Sequence, residues 1–390
     1  MSVCSPRPCT ASRKPGISRD TPFALGMGYN QMTAVVEDLL PNGNTRVLNA
    51  YAVNIFREPR TKDEPPFEPE LRHVVCSLKQ SCEMRVFPKE PCDLYVERRT
   101  ISDWEKIVEG YEQLPLCPSG AAQGRWLLPC TDCGAPESCF WKEARWIPYG
   151  CRHLSVSTPA LQQCLKNKKL LFIGDSTNRG MMYYTVKRLN GTLTGWEQSH
   201  GFLNIRNIND GATEVGFAYY PQFWMLSEKM PSLVTTLRQL VQRMKSVPND
   251  ANTIIVIGGT KWLKVKQLTS VVATLQSLGL NNARVVIKTY GSALNAQKMT
   301  HSKELLEDQQ SLAKANGALV TKALQLGFQV VETFNMTSAR FKEFLYGNCA
   351  CHFHKAVSES LSTYRIEGPI NEVYTEILLG TICKEYARRQ

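Results

Sequence analysis

The sequence is poor in the features that a membrane-spanning, disordered or nucleic-acid-binding chain requires. No apolar run approaches the ~18–20 residues that cross a bilayer. The longest runs, such as Ile254 to Ile257 and Leu170 to Ile173, have the length of buried strands. Charged residues make up only 21% of the 390, against 43% hydrophobic. That excludes wholesale disorder and leaves material for two or three domains. No basic block interleaved with aromatics occurs, so nucleic acid is not an expected partner. The polar, basic stretch from Met1 to Ser18 has no apolar core of a signal peptide.

What the sequence does hold is unevenly distributed. Eleven of the 14 cysteines lie at or before Cys164, and none follows until Cys349, Cys351 and Cys383. Residues 1–164 carry 19 basic and 19 acidic side chains, whereas 165–390 carry 27 and 16, so the whole net charge of +11 lies in the second part. Two segments of different chemistry meet near residue 165. An even number of widely spaced cysteines suggests disulfides and an oxidising compartment. The sequons at Asn190 and Asn335 point the same way. With no signal peptide, two readings stand: a partial chain or alternative start of a secretory protein, or a cytosolic chain whose thiols are free or metal-bound.

Four stretches follow. Residues 1–20 read as a disordered arm. Residues 21–116 contain short β-branched and aromatic runs punctuated by Pro and Gly, as in a small sandwich or part of one. Residues 117–166 form a loop-rich connector with Cys and Trp. From 167 to 390 strands alternate with helices: Leu170 to Ile173, then Asn178 to Leu189; Thr253 to Ile257, then the stripe Val265, Leu268, Val272, Leu275 and Leu278, stopped by Gly279. Strands over Arg284 to Tyr290 and Phe328 to Thr333 and helices over His301 to Leu326 and Ile370 to Ala387 complete it. This alternation predicts an α/β fold with a doubly wound parallel sheet, whose ligands bind at the carboxyl ends of its strands.

The strongest local signal for chemistry is the run Gly174, Asp175, Ser176. An apolar strand ends there and passes straight into a helix, which places the Ser176 hydroxyl at a strand's carboxyl end beside helix amides able to stabilise an oxyanion. Arg179, one turn later, with Lys261, Lys264 and Lys266, would suit an acidic sugar. Lysines on a helix are also simply its solvated face. Trp224, after a possible further strand, is a candidate for stacking on a sugar ring. The spacings of Cys130, Cys133, Cys349, Cys351, His352 and His354 match no zinc-finger pattern, so neither metal nor cofactor is expected.

Gly124 to Trp126, Trp146 to Cys151, Cys164 with Leu165, and Lys169 to Arg179 together resemble the PC-esterase branch of the SGNH hydrolase family. That group includes plant trichome-birefringence-like glycan O-acetyltransferases and animal sialate O-acetyltransferase. The chain as a whole resembles the carboxy-terminal part of the cadherin-like and PC-esterase domain-containing proteins, with residues 21–116 as a remnant of the cadherin-like region. The resemblance favours the secretory reading and implies acyl-ester chemistry on O-acylated glycans or glycoproteins. It makes Ser176 the nucleophile, forming an acyl-enzyme, and a late histidine its base: His354, with His352 as the alternate.

Two departures from the family pattern matter. The family has Asp-x-x-His, but three residues before His354 stands Cys351 and three before His352 stands Cys349. Relatives of this plan have Gly-x-Asn after the second strand of the domain, where the Asn completes the oxyanion hole. Here Gly258, Gly259 and Thr260 follow Ile257, with Thr260 in the Asn position. Loss of one oxyanion donor costs ~10²–10³ in rate and loss of the acid behind the histidine ~10⁴. The alternative expectation is therefore a catalytically impaired module that binds glycans without turning them over.

Overall fold

A computed structural model of the chain describes residues 28–40, 43, 45–57, 67, 73–82, 84–101, 104–195, 200–292, 302–343 and 352–387. The expected arm at 1–20 lies outside them. Strands β1 (Gly28–Leu39) and β2 (Thr45–Arg57) form a separate antiparallel hairpin. Strands β3 (His73–Leu78) and β4 (Leu94–Ile101) precede helix α1 (Trp104–Glu112) and pair in a second sheet with β5 (Gly124–Cys130) and β6 (Arg145–Pro148), in the order β4-β3-β5-β6. The expected boundary at 116/117 thus runs through one sheet. Its connector half looked loop-like because Pro and Cys interrupt the alternation, yet all seven residues of β5 are buried.

Helix α2 (Thr158–Leu165) leads into the main sheet, whose first strand is β7 (Lys169–Gly174). Helix α3 (Ser176–Asn190) follows, then β8 (Phe202–Ile208), β9 (Thr213–Tyr219) and α4 (Leu233–Arg243). Strand β10 (Thr253–Gly258), α5 (Val265–Ser277), β11 (Arg284–Lys288), α6 (Ser302–Gln325) and β12 (Gln329–Val331) complete the wound part. Buried α7 (Phe334–Ala339), the hairpin β13 (Lys355–Ser358) and β14 (Tyr364–Glu367), and α8 (Pro369–Ala387) close the chain.

The six strands run in the order β12-β11-β10-β7-β9-β8. Five are parallel, and only edge strand β8 pairs antiparallel, with β9. The sheet is therefore mixed, not purely parallel, because β8 and β9 join through a tight turn instead of a crossover helix. Chain direction across the sheet reverses about β7, which β9 and β10 flank. Open α/β sheets bind their ligands at such a switch point, and here it is the carboxyl end of β7, where Ser176 begins α3. Ile254 to Ile257 are each 0% exposed, as a strand covered on both faces requires. Burying such a side chain contributes about 1.5–3 kcal/mol.

Five disulfides join described cysteines: Cys76–Cys133, Cys82–Cys92, Cys117–Cys151, Cys130–Cys139 and Cys164–Cys383. The sulfurs of Cys76, Cys130 and Cys139 lie within 4.8 Å of one another because two bridges cross there. Cys383 pairs with the connector's Cys164 and not with Cys349 or Cys351, which lie outside the described residues. That bridge closes a 219-residue separation and ties α2 to α8. Replacing both of its cysteines by Ser is expected to lower stability by about 2–5 kcal/mol in denaturant unfolding; an unchanged midpoint would show the bridge to be dispensable. Among the described residues no helix is long and apolar enough to cross a membrane.

Candidate active site

Ser176 is the first residue of α3 and Asp175 its N-cap. Asp175 Oδ1 accepts from the Thr177 backbone N–H at 2.9 Å and from Thr177 Oγ1 at 2.7 Å. Its Oδ2 accepts from the Thr260 N–H at 2.7 Å and from Thr260 Oγ1 at 3.1 Å. Four donors thus hold a carboxylate that is only 4% exposed. Thr260, in the position of the family's oxyanion Asn, is turned onto Asp175 with both its backbone and its side chain.

The glycines of this edge are required by close approach. Gly174 and Gly258 face each other across the β7–β10 pair, where a Cβ on Gly174 would strike the Gly258 carbonyl. A Cβ on Gly259 would collide with the Trp262 indole nitrogen and with Asp175. Asn178 sits beneath the same turn and donates to Ile173 O at 2.9 Å and Val256 O at 3.3 Å, bridging the ends of β7 and β10.

Of the two late histidines, the structure brings His352 to Ser176: its Nε2 is hydrogen-bonded to Ser176 Oγ. His354, the first choice from the sequence pattern, stands behind it. The two rings meet edge to face, with centroids 5.6 Å apart. Burial lowers the pKa of His352, the Asp175 charge opposes that shift, and Arg179 adds to it. His354 is pushed down to about 3 by burial first and then by His352, Arg179 and Lys288, so it stays neutral in the physiological range.

Gly180 of α3 packs flat on the His354 imidazole, where any Cβ would fall inside the ring. Gly180→Ala must therefore displace His354 and, with it, His352. The expected result is a loss of about 10²-fold in Ser176 reactivity towards a fluorophosphonate, with far-ultraviolet circular dichroism unchanged. Ala in a helix interior favours the helix by roughly 0.5–1 kcal/mol over Gly. A weakened helix would not account for the loss, and undiminished reactivity would show that His354 does not position His352.

The other wall was only partly legible in the sequence. Tyr219 ends β9 and is 3% exposed. Burial and the Asp175 charge raise the pKa of its hydroxyl, while interactions with the Ser176 side chain and backbone lower it. Around its ring stand His200 at 4.7 Å, Trp224 at 5.2 Å and Phe223 at 6.2 Å between centroids. Phe223 and Trp224 are largely exposed. Arg179 is buried with its guanidinium carbon 5.7 Å from the Tyr219 ring centre, whereas Lys261, Lys264 and Lys266 are exposed to solvent. Tyr219 reads from the sequence as core and loop packing in the run that ends at Trp224, and His200 escapes the sequence because nothing local sets it apart; they gather only where β8 and β9 meet.

The sequons differ in setting. Asn190 is exposed at the end of α3, where it exchanges hydrogen bonds with Asn207 and Asn209. Asn335 lies in buried α7, and its Nδ2 donates to Gln123 Oε1 at 2.7 Å. The Asn335 amide is thus committed inside the fold.

Residues 146–345, which include Ser176 but end before His352, match a known family model, described as NXPE family member 4-like, C-terminal domain. That is just over half of the chain. The chain belongs to this family. It is also 27% identical over 137 residues to an N-acetylneuraminate (7)9-O-acetyltransferase of Danio rerio, covering 33% of this chain and 16% of that protein. It is 25% identical over 226 residues to protein trichome birefringence-like 4 of Arabidopsis thaliana, covering 53% of this chain and 44% of the relative. The chain thus spans less than half the length of either relative. These matches support the PC-esterase branch; the family match begins at residue 146 and does not bear on residues 21–116.

Proposed function

We propose that this NXPE-family chain is an O-acyl, and specifically O-acetyl, esterase or transferase acting on glycan hydroxyls through an acyl-Ser176 intermediate. The observation that carries the reading is the hydrogen bond between Ser176 Oγ and His352 Nε2 at the sheet's switch point, in which the neutral base accepts from the hydroxyl. In the first step Ser176 Oγ attacks the acyl carbonyl while its proton passes to His352 Nε2. The leaving alcohol takes that proton back as the acyl–oxygen bond breaks. In the second, water or a sugar hydroxyl gives its proton to His352 and attacks the acyl-serine; the acyl–Oγ bond breaks and His352 returns the proton to Ser176 Oγ. The Tyr219 hydroxyl, which stands against the Ser176 side chain and backbone, is the donor for the oxyanion in place of the family's Asn.

The substrate we infer is an O-acylated glycan or glycoprotein bearing an acidic sugar. Arg179 supports the acidity through a buried cation one helical turn from the nucleophile, and exposed Trp224 supports a ring-stacking contact. The similarity to an N-acetylneuraminate O-acetyltransferase and the five disulfides among the described residues support work on glycans in the secretory lumen. No metal or nucleotide enters the scheme.

A second reading is a glycan-binding module without turnover. One observation favours it: Thr260 spends both its donors on Asp175, so the family's side-chain oxyanion donor is missing. Fluorophosphonate labelling mapped by peptide mass spectrometry, alongside acetyl-ester turnover, separates the two. Labelling at Ser176 with turnover supports the enzyme; wild-type labelling no stronger than that of Ser176→Ala, with glycan binding retained, supports the module.

A further inference from the structure

Lys288 ends β11, two strands away from Ser176, and is only 2% exposed. Its Nζ donates to the Gly259 carbonyl at 2.9 Å and to Thr289 O at 3.5 Å. The Gly259 carbonyl and the Thr260 N–H belong to one planar trans peptide and point in opposite directions. That N–H is the one that donates to Asp175 Oδ2 at 2.7 Å. A single rigid peptide is thus pinned at both ends, by a buried ammonium and by the buried carboxylate next to the nucleophile. Close packing keeps it there, since a Cβ on Gly258 would overlap the Lys288 backbone and one on Gly259 would overlap Asp175.

We infer that Lys288 is a positioning residue for the acyl transfer proposed above: through the Gly259–Thr260 peptide it fixes Asp175, and so holds the turn that presents Ser176 to His352. The inference rests on the acyl-enzyme reading. Its physical basis is that a hydrogen bond with a charged partner is roughly twice as strong as a neutral one. A cation on a carbonyl also polarises the peptide, which strengthens donation from its N–H. Asp175 in turn places negative charge near His352, where it favours the imidazolium formed during reaction.

Four groups face the Lys288 ammonium from the elements packed around it. Asp175 comes from the β7–α3 turn, Glu332 from the end of β12, His354 from the segment before β13, and Tyr374 from α8 with its ring centre 5.7 Å from Nζ. Burial lowers the Lys288 pKa to about 8, against the opposing pull of Asp175 and Glu332. The ammonium is therefore present below about pH 8 and lost above it. Arginine at the same place would not titrate in that range.

The experiment follows the rate of fluorophosphonate labelling against pH for wild type, Lys288→Met and Lys288→Arg, with Ser176→Ala as background, and amide hydrogen exchange of the peptide containing Thr260. Lys288→Met is expected to slow labelling by about 10- to 100-fold and to deprotect that amide. Wild type should lose reactivity above about pH 8, and Lys288→Arg should keep the acid limb but lose that alkaline fall. Wild-type rate, pH profile and exchange in Lys288→Met would overturn the inference. If Lys288→Met does not fold, an alkaline limb that persists in Lys288→Arg overturns it equally. Failure of the acyl-enzyme reading is seen separately, as wild-type labelling at background; the exchange measurement then still decides whether Lys288 holds the peptide.

Discussion

Ser176→Ala is expected to reduce fluorophosphonate labelling to background and to lower acetyl-ester turnover by a factor that reports how complete the site is. In a serine hydrolase with its full triad, removing the nucleophile costs about 10⁶ in kcat, while removing the acid alone costs about 10⁴. If nothing replaces the family's Asp three residues before the histidine, the wild type has already lost the second factor. Only about 10² then remains to be lost with Ser176. If Asp175, held by four hydrogen bonds beside Ser176, supplies the missing negative charge, the loss approaches the larger figure. A turnover rate unchanged by the substitution would remove Ser176 from the chemistry altogether.

His352→Ala is expected to fall as far as Ser176→Ala, and the double variant no further, because a nucleophile and its base act as one unit. His354→Ala should cost far less in labelling, since its ring touches Gly180 and His352 but not Ser176. Equal losses in the two histidine variants, with folding intact, would return the base assignment to His354. The pH dependence has a definite sign. Burial and Arg179 lower the His352 pKa more than Asp175 raises it, so the neutral base persists below the ordinary imidazole value of 6.5. Labelling should therefore hold its plateau into mildly acidic solution. A midpoint above that value would mean that an acid, and not burial, dominates around the ring.

How much of this was legible beforehand depended on how local each signal was. The strand-to-helix turn at Ser176 could be read because its ingredients are contiguous: an apolar strand, a glycine where backbones nearly touch, an N-cap and a helix. The helix from Val265 was legible through its periodicity, and Gly279 stops it with a φ of +67°. Strand β8 was missed since its outer face is solvated at a sheet edge and gives no apolar run. Helix α7 was missed because Asn335, Thr337 and Ser338 interrupt its apolar residues, although all six of its residues are buried.

The sequence by itself determined that this is an α/β chain with a basic wound domain behind a cysteine-rich front, and that Ser176 stands at a strand's carboxyl end. Only the tertiary structure decided which histidine meets it, that Thr260 serves Asp175, that Cys383 closes on Cys164, and that Lys288 lies under the loop between them. The physical reason is one of range. Strand and helix signals come from side chains two to four residues apart, which the sequence displays directly. The site is assembled from the ends of β7, β9, β10 and β11 and a segment 176 residues beyond Ser176. Contacts of that kind arise from the packing of the sheet, and no local pattern encodes them.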